Sequence, residues 1–116
     1  IEVTCSEIDE YVSDGANCTC IEYIQGFNTE SIAIVAQVKD IKEYKIKKGN
    51  NKGSSMCFLK ISDNTCILDN VTLFTEEWQT NKDKLDKGKV FLFRGYRDKN
   101  RGSFIVKRIQ KLLQCI

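Results

Sequence analysis

The sequence predicts a mainly β domain: a five-stranded Greek-key barrel with one helix between strands three and four, and an N-terminal extension before it. Three observations carry this reading. From Ser31 onward, five separate runs are rich in apolar residues, several of them alternating with a period of two. Clusters of Gly, Asn, Asp and Ser punctuate those runs near residues 49–55, 62–65 and 98–102. Between the third and fourth runs, one segment carries helix start and stop signals instead.

The first strand runs from about residue 31 to 43, with Ile32, Ile34 and Ala36 on one face and Ala33, Val35 and Gln37 on the other. Residues 45–55 follow as a turn or flexible loop, because Gly49, Asn50, Asn51 and Gly53 favour no regular element. Met56 to Ile61 forms strand two and Cys66 to Phe74 strand three, joined as a hairpin through Ser62-Asp63-Asn64-Thr65. Thr75 suits a helix N-cap, with Glu76 and Glu77 in the first turn and Gly88 beyond the last, so residues 75–86 read as a helix. Trp78 and Leu85 share its buried face. Lys89 to Arg97 is strand four and Ser103 to Ile109 strand five. Ile109, Leu112, Leu113 and Ile116 then take a short helical spacing. Strand, strand, strand, helix, strand, strand is the order of an OB barrel.

Residues 31–116 are thus the OB domain, and residues 1–30 an acidic extension that packs on the barrel or ends a preceding domain. Within the extension, Cys18 to Ile24 reads as one extra strand. At 116 residues the chain is one domain, long enough to bury a core. Its start at Ile1, with no signal-peptide pattern, reads as a fragment or a processed product. No apolar run reaches the roughly 18 residues of a membrane span, so no membrane partner is expected. The six cysteines (Cys5, Cys18, Cys20, Cys57, Cys66 and Cys115) are too sparse for a disulfide scaffold, and free thiols in a cytoplasmic protein are expected. An even cysteine count and the sequons at Asn17 and Asn70 keep a secreted, disulfide-linked domain as an alternative.

Charge is sorted into blocks that the net value of +2 conceals. Residues 1–30 carry −7, residues 39–60 carry +5, residues 61–86 carry −4 and residues 87–111 carry +8. A basic stripe, not a basic total, marks a phosphate-binding surface.

Within residues 32–110, the stretches Ile34 to Ile41, Lys47-Lys48-Gly49, Met56 to Asp63, Val71-Thr72-Leu73-Phe74, Gly88 and Phe93-Arg94-Gly95 together resemble the OB domain of the bacterial DNA polymerase III alpha subunit. Two features depart from that family: Thr75 stands where Pro often follows the strand-three Phe, and the loop 45–55 is longer than usual. The resemblance implies a non-catalytic accessory that binds single-stranded nucleic acid, with DNA or RNA and other replication proteins as partners.

The residues support binding on their own account. An OB barrel binds across strands two and three, between loops 1–2 and 4–5. The first loop carries Lys45, Lys47, Lys48 and Lys52, and the second Arg97, Lys99 and Arg101. One lysine-rich loop is ordinarily solvated surface; two that flank one groove make a phosphate track. Phe58 and Lys60 fall on the outward face of strand two if Cys57, Leu59 and Ile61 point inward, and Phe58 is then the base-stacking platform. Tyr44, Tyr96 and Phe104 are further stacking candidates near the loops, while Trp78 reads as a helix-to-barrel packing residue. With no His, no paired carboxylates and a Cys18-Thr19-Cys20 spacing too tight for zinc, neither catalysis, a metal nor a cofactor is expected. The competing reading is a protein-interaction barrel whose groove is covered in cis by the acidic extension.

Overall fold

A computed structural model describes residues 16–27, 29–50 and 52–111. In chain order the elements are α1 (Cys20–Ile24), β1 (Ile32–Lys45), β2 (Ser55–Ser62), β3 (Ile67–Leu73), α2 (Thr75–Asn81), β4 (Val90–Arg97) and β5 (Phe104–Lys111). The five strands close a barrel in the order β1-β2-β3-β5-β4. All neighbours are antiparallel except β3 and β5, which close the barrel as a parallel pair through Val71–Phe104 and Thr72–Ile105 alone. This is the OB topology, with α2 between β3 and β4.

Period-two alternation fills the interior. Ile32, Ile34, Ala36 and Val38 of β1 meet Cys57, Leu59 and Ile61 of β2, Val71 and Leu73 of β3, and Phe91 and Phe93 of β4. A bulge in the β1–β2 pairing between Val38 and Asp40 then shifts the phase of β1. Beyond it, Asp40, Lys42 and Tyr44 face outward beside Lys60, Phe58 and Met56. The bulge therefore turns the polar and aromatic half of β1 onto the surface.

The segment read from sequence as an extra strand is the helix α1. Thr19 caps it and Glu22 returns the bond, a reciprocal capping box. Its buried Cys18, Cys20 and Tyr23 join the barrel core. Just before it, Asn17 Oδ1 accepts from the Ala33 amide at 2.9 Å, while the Asn17 amide donates to the Ala33 carbonyl at 3.0 Å. Asp63 anchors the helix from the β2–β3 turn, where its carboxylate accepts from the Cys20 amide at 2.9 Å and the Thr65 amide at 2.8 Å.

Burial opposes ionisation of Asp63, but hydrogen bonds from the Thr65 hydroxyl and the Cys20, Thr65 and Cys66 amides outweigh it and hold the carboxyl below its ordinary range. A carboxylate with a depressed folded pKa stabilises the fold above its unfolded pKa, and that stabilisation is lost as pH falls through the folded value. Asp63→Asn is therefore expected to lower stability at neutral pH by about 1–3 kcal/mol. Urea midpoints of the two proteins should converge as pH falls below the ordinary carboxylate range, and a gap independent of pH would refute this account.

The helix α2 is shorter than the 75–86 expected, and Thr75 is not its cap. Pairing with Cys57 fixes Leu73 as strand, so the chain enters the helix at once and Phe74 takes the cap position with no side-chain hydrogen bond. The Thr75 hydroxyl is left buried without a partner among the described residues. After Asn81 the chain turns, and Leu85 still reaches the core beside Trp78. Trp78 Nε1 donates to Glu43 Oε2 at 2.8 Å, tying α2 to β1. Trp78→Phe, which keeps most of the apolar contact, is expected to lower stability by about 1–2 kcal/mol in urea unfolding. An unchanged midpoint would show that this bond contributes nothing.

Ile109 belongs to β5 and points into the core, not into a terminal helix. Leu112, Leu113 and Ile116 lie outside the described residues, as do Cys5, Cys115 and residues 1–15. Cys18, Cys20, Cys57 and Cys66 are free thiols. Burial pushes the Cys18 and Cys57 thiols up to about 11, and Cys20 higher still. Among the described residues, no helix is long and apolar enough to cross a membrane.

Candidate nucleic-acid interface

The outer face of β1, β2 and β3 carries side chains in rows that cross the strands. One row is Lys42, Phe58 and Thr72, continued across the parallel closure by Ile105 and Tyr96. The next begins with Tyr44 and Met56; because Leu73 pairs with Cys57, the following residue, Phe74, comes beside Met56. Rows on one face are two residues apart, roughly 7 Å. Phe58 is 40% exposed and Tyr44 45%, and their rings lie 6.2 Å apart, tilted by 59°. Two aromatic rings in contact with water, not with the core, form a platform for flat ligands.

The sequence-predicted cations border this platform. Lys45, Lys47, Lys48 and Lys52 are exposed on and beside the loop 46–54, and Lys60 is exposed on β2. The loop prolongs the β1–β2 ladder: the Ile46 amide donates to the Ser54 carbonyl at 2.8 Å and the Gly53 amide to the Ile46 carbonyl at 2.9 Å. Gly49 and Gly53 turn it with φ of 89° and 90°, a left-handed backbone that suits glycine. Both acids of β1 are engaged elsewhere. Asp40 pairs with Lys87 at 3.3 Å, which holds its carboxyl below the ordinary range, and Glu43 accepts from Trp78.

At the other end, the loop 98–103 is pinned by the Asp98 amide on the Ser103 carbonyl and the Gly102 amide on the Asp98 carbonyl, both at 2.8 Å. Lys99 and Arg101 are exposed at its tip. Tyr96 is outward and 39% exposed, three strands from Phe58 and so roughly 14 Å away along the row.

Two sequence candidates have other work. Phe104 is 0% exposed: its pairing with Val71 turns it into the barrel, where its ring meets Tyr23 at 5.6 Å. It is core, not a stacking platform. Arg97 lies 3.8 Å over the Tyr23 ring and donates to the Tyr23 carbonyl at 2.6 Å and the Phe27 carbonyl at 2.8 Å. Tyr23 in turn donates to the Gly102 carbonyl at 2.6 Å. Arg97 thus pins α1 against the loop 98–103, a role invisible to a count of loop charges. Sequence reasoning also missed Lys42, Met56 and Phe74 on this outer face. The alternation on β2 could have found Met56, but Lys42 needed the bulge and Phe74 the helix cap.

A closed barrel with this strand order and a helix between β3 and β4 defines an OB fold. Known structures agree. A crystal structure of yeast Stn1 and Ten1 is similar at a TM-score of 0.56 and 20% identity, over 72% of this chain and 43% of that one. The second OB-fold domain of replication protein A from Methanococcus maripaludis is similar at a TM-score of 0.51 and 20% identity, over 74% of this chain and 87% of that one. The chain thus spans less than half of the yeast chain it matches. No family model matches the sequence. No curated protein matches it either.

Proposed function

We propose that this chain is a non-catalytic OB domain that binds single-stranded nucleic acid, DNA in the first instance, across the outer face of β1, β2 and β3. The observation that carries the reading is the exposed Tyr44–Phe58 ring pair bordered by Lys42, Lys45, Lys47, Lys48 and Lys60. Stacked rings hold bases of any sequence and lysines hold the backbone. Lys52, Lys99 and Arg101 extend the track to both loops, with Tyr96 at the far end.

The resemblance to the polymerase III alpha subunit supports a place in DNA replication. The likeness to an OB domain of a replication protein supports the same place. The similar yeast structure is of two proteins, Stn1 and Ten1, which supports a protein partner beside the nucleic acid. Residues 31–116 form the binding domain in this reading, with residues 1–30 as its N-terminal extension and the described part of that extension, 16–27, against the barrel. The pinning of α1 by Arg97 and Asp63 supports that division over a separate preceding domain. Cys18, Cys20 and Cys57 serve as small buried apolar residues of the core, which supports the reading of free thiols in a cytoplasmic protein.

The test is fluorescence anisotropy of a labelled oligo-dT at several salt concentrations. Saturable binding that weakens steeply with salt is expected. No binding at low salt, with or without residues 1–15, would leave the protein-interaction reading in its place.

A further inference from the structure

We propose that the cleft between the loop 46–54 and the start of α2 is a pocket for one nucleotide of the bound strand. Its base lies against Tyr44, Met56 and Phe74, and its phosphate at Lys47 and Lys48. This rests on the function proposed above and names what one end of that face holds.

The cleft has a volume of about 590 Å³ and is lined by Tyr44, Ile46, Lys47, Lys48, Asn50, Met56 and Phe74. That volume lies within the ordinary range for small-molecule sites. Its composition is divided: two aromatic rings, a thioether and an isoleucine offer apolar surface, while two lysines supply positive charge and Asn50 an amide. Among the described residues, no carboxylate lines it. An apolar slot for a ring, a cation for an anion and an amide for a base edge together match the parts of a nucleotide.

Phe74 is the independent sign. It stands at the N-cap of α2, where Ser, Thr, Asn or Asp would satisfy a backbone amide, and it makes no capping bond. Nor does it fill the core, since it is 42% exposed. A large ring that serves neither the helix nor the core is explained by what enters the cleft beside it.

Continuity selects the occupant. Tyr44 lines the cleft and also touches Phe58 at 6.2 Å, so platform and cleft share a wall. The rows holding Phe58 and Phe74 are roughly 7 Å apart, twice the 3.4 Å rise of a stacked strand. A strand with one base on Phe58 thus places a following base in the cleft without leaving the protein. A separate acidic peptide would find the same lysines but has no use for paired rings at this spacing.

Met56 is the single methionine of the chain, so its labelled methyl group reports on this cleft alone. With the full chain, saturating oligo-dT is expected to shift the Met56 methyl resonance. Phe74→Ala is expected to weaken oligo-dT binding roughly 5- to 100-fold without changing the salt slope. It should also abolish the step in affinity that wild type shows when the oligonucleotide is lengthened by the nucleotide that fills the cleft. Because Phe74 is exposed, circular dichroism of this variant should match wild type. If oligo-dT binds but the methyl does not move and Phe74→Ala binds like wild type, the pocket is refuted while the groove reading stands. If the methyl answers only to an acidic peptide, the cleft belongs to a protein partner and the proposal falls. If anisotropy detects no oligo-dT binding at all, the groove reading fails, and the pocket with it.

Discussion

Phe58→Ala is expected to weaken single-strand binding by about 1–3 kcal/mol, roughly 5- to 150-fold, with no change in salt dependence. The reasoning runs from register to energy. Inward Cys57, Leu59 and Ile61 force Phe58 outward on β2, where its ring lies 6.2 Å from that of Tyr44, tilted by 59°. Its removal opens no core cavity, so the urea midpoint should move by less than about 0.5 kcal/mol. Exchange of Lys47, Lys48 or Lys52 for Gln acts on the other half of the interface. Each lost phosphate contact should reduce the slope of log K against log salt by about 0.7. Anisotropy titrations over a salt series separate the two effects. A Phe58→Ala slope that falls as far as a lysine variant's would sink the division between stacking and charge.

Gly95→Ala is expected to destabilise the fold by about 3 kcal/mol or more, at the upper end of overpacking costs. Gly95 sits in β4 at the bulge against β5, opposite Val106. A Cβ there would lie 1.9 Å from the Ile105 carbonyl oxygen, 2.8 Å from its carbon and 3.0 Å from the Val106 Cα. All three are backbone atoms of β5, so no side-chain rotation relieves the clash. Relief requires β4 and β5 to separate, and β5 is the strand that closes the barrel. Urea unfolding measures the loss. A midpoint within about 0.5 kcal/mol of wild type would mean that the bulge absorbs the methyl group.

The five strands were legible because alternation and turn residues are local signals. Ile32, Ile34 and Ala36 point inward as the period requires, and the outward Phe58 follows from its neighbours on β2. What the sequence hid was non-local. Phe104 stands near a loop in the chain, but its parallel partner Val71 decides where its ring goes. Arg97 looks like one loop cation among three, yet its partners Tyr23 and Phe27 lie some seventy residues upstream. The helix α1 failed for a different reason. Ile21, Tyr23 and Ile24 favour strand, and five residues are too few for a helical period to emerge. The cue was present all the same in Thr19 and Glu22, spaced as a capping box. The Thr75 cap was a sound local inference that lost to the strand pairing of Leu73.

The barrel is closed by only two residue pairs between β3 and β5, so its wall has one weak seam, where the hoop is merely buttoned. Thr72 and Ile105 are the buttons, and they lie in the same row as Phe58 and Tyr96. A strand stretched from Phe58 to Tyr96 crosses the seam at right angles to its length. A ligand held at both Phe58 and Tyr96 spans the seam, whose own Thr72 and Ile105 side chains are buried, so opening the seam moves its two anchor points apart. In the proposed function, occupancy of the groove raises the stability of the whole fold with the logarithm of the ratio of free ligand to its dissociation constant.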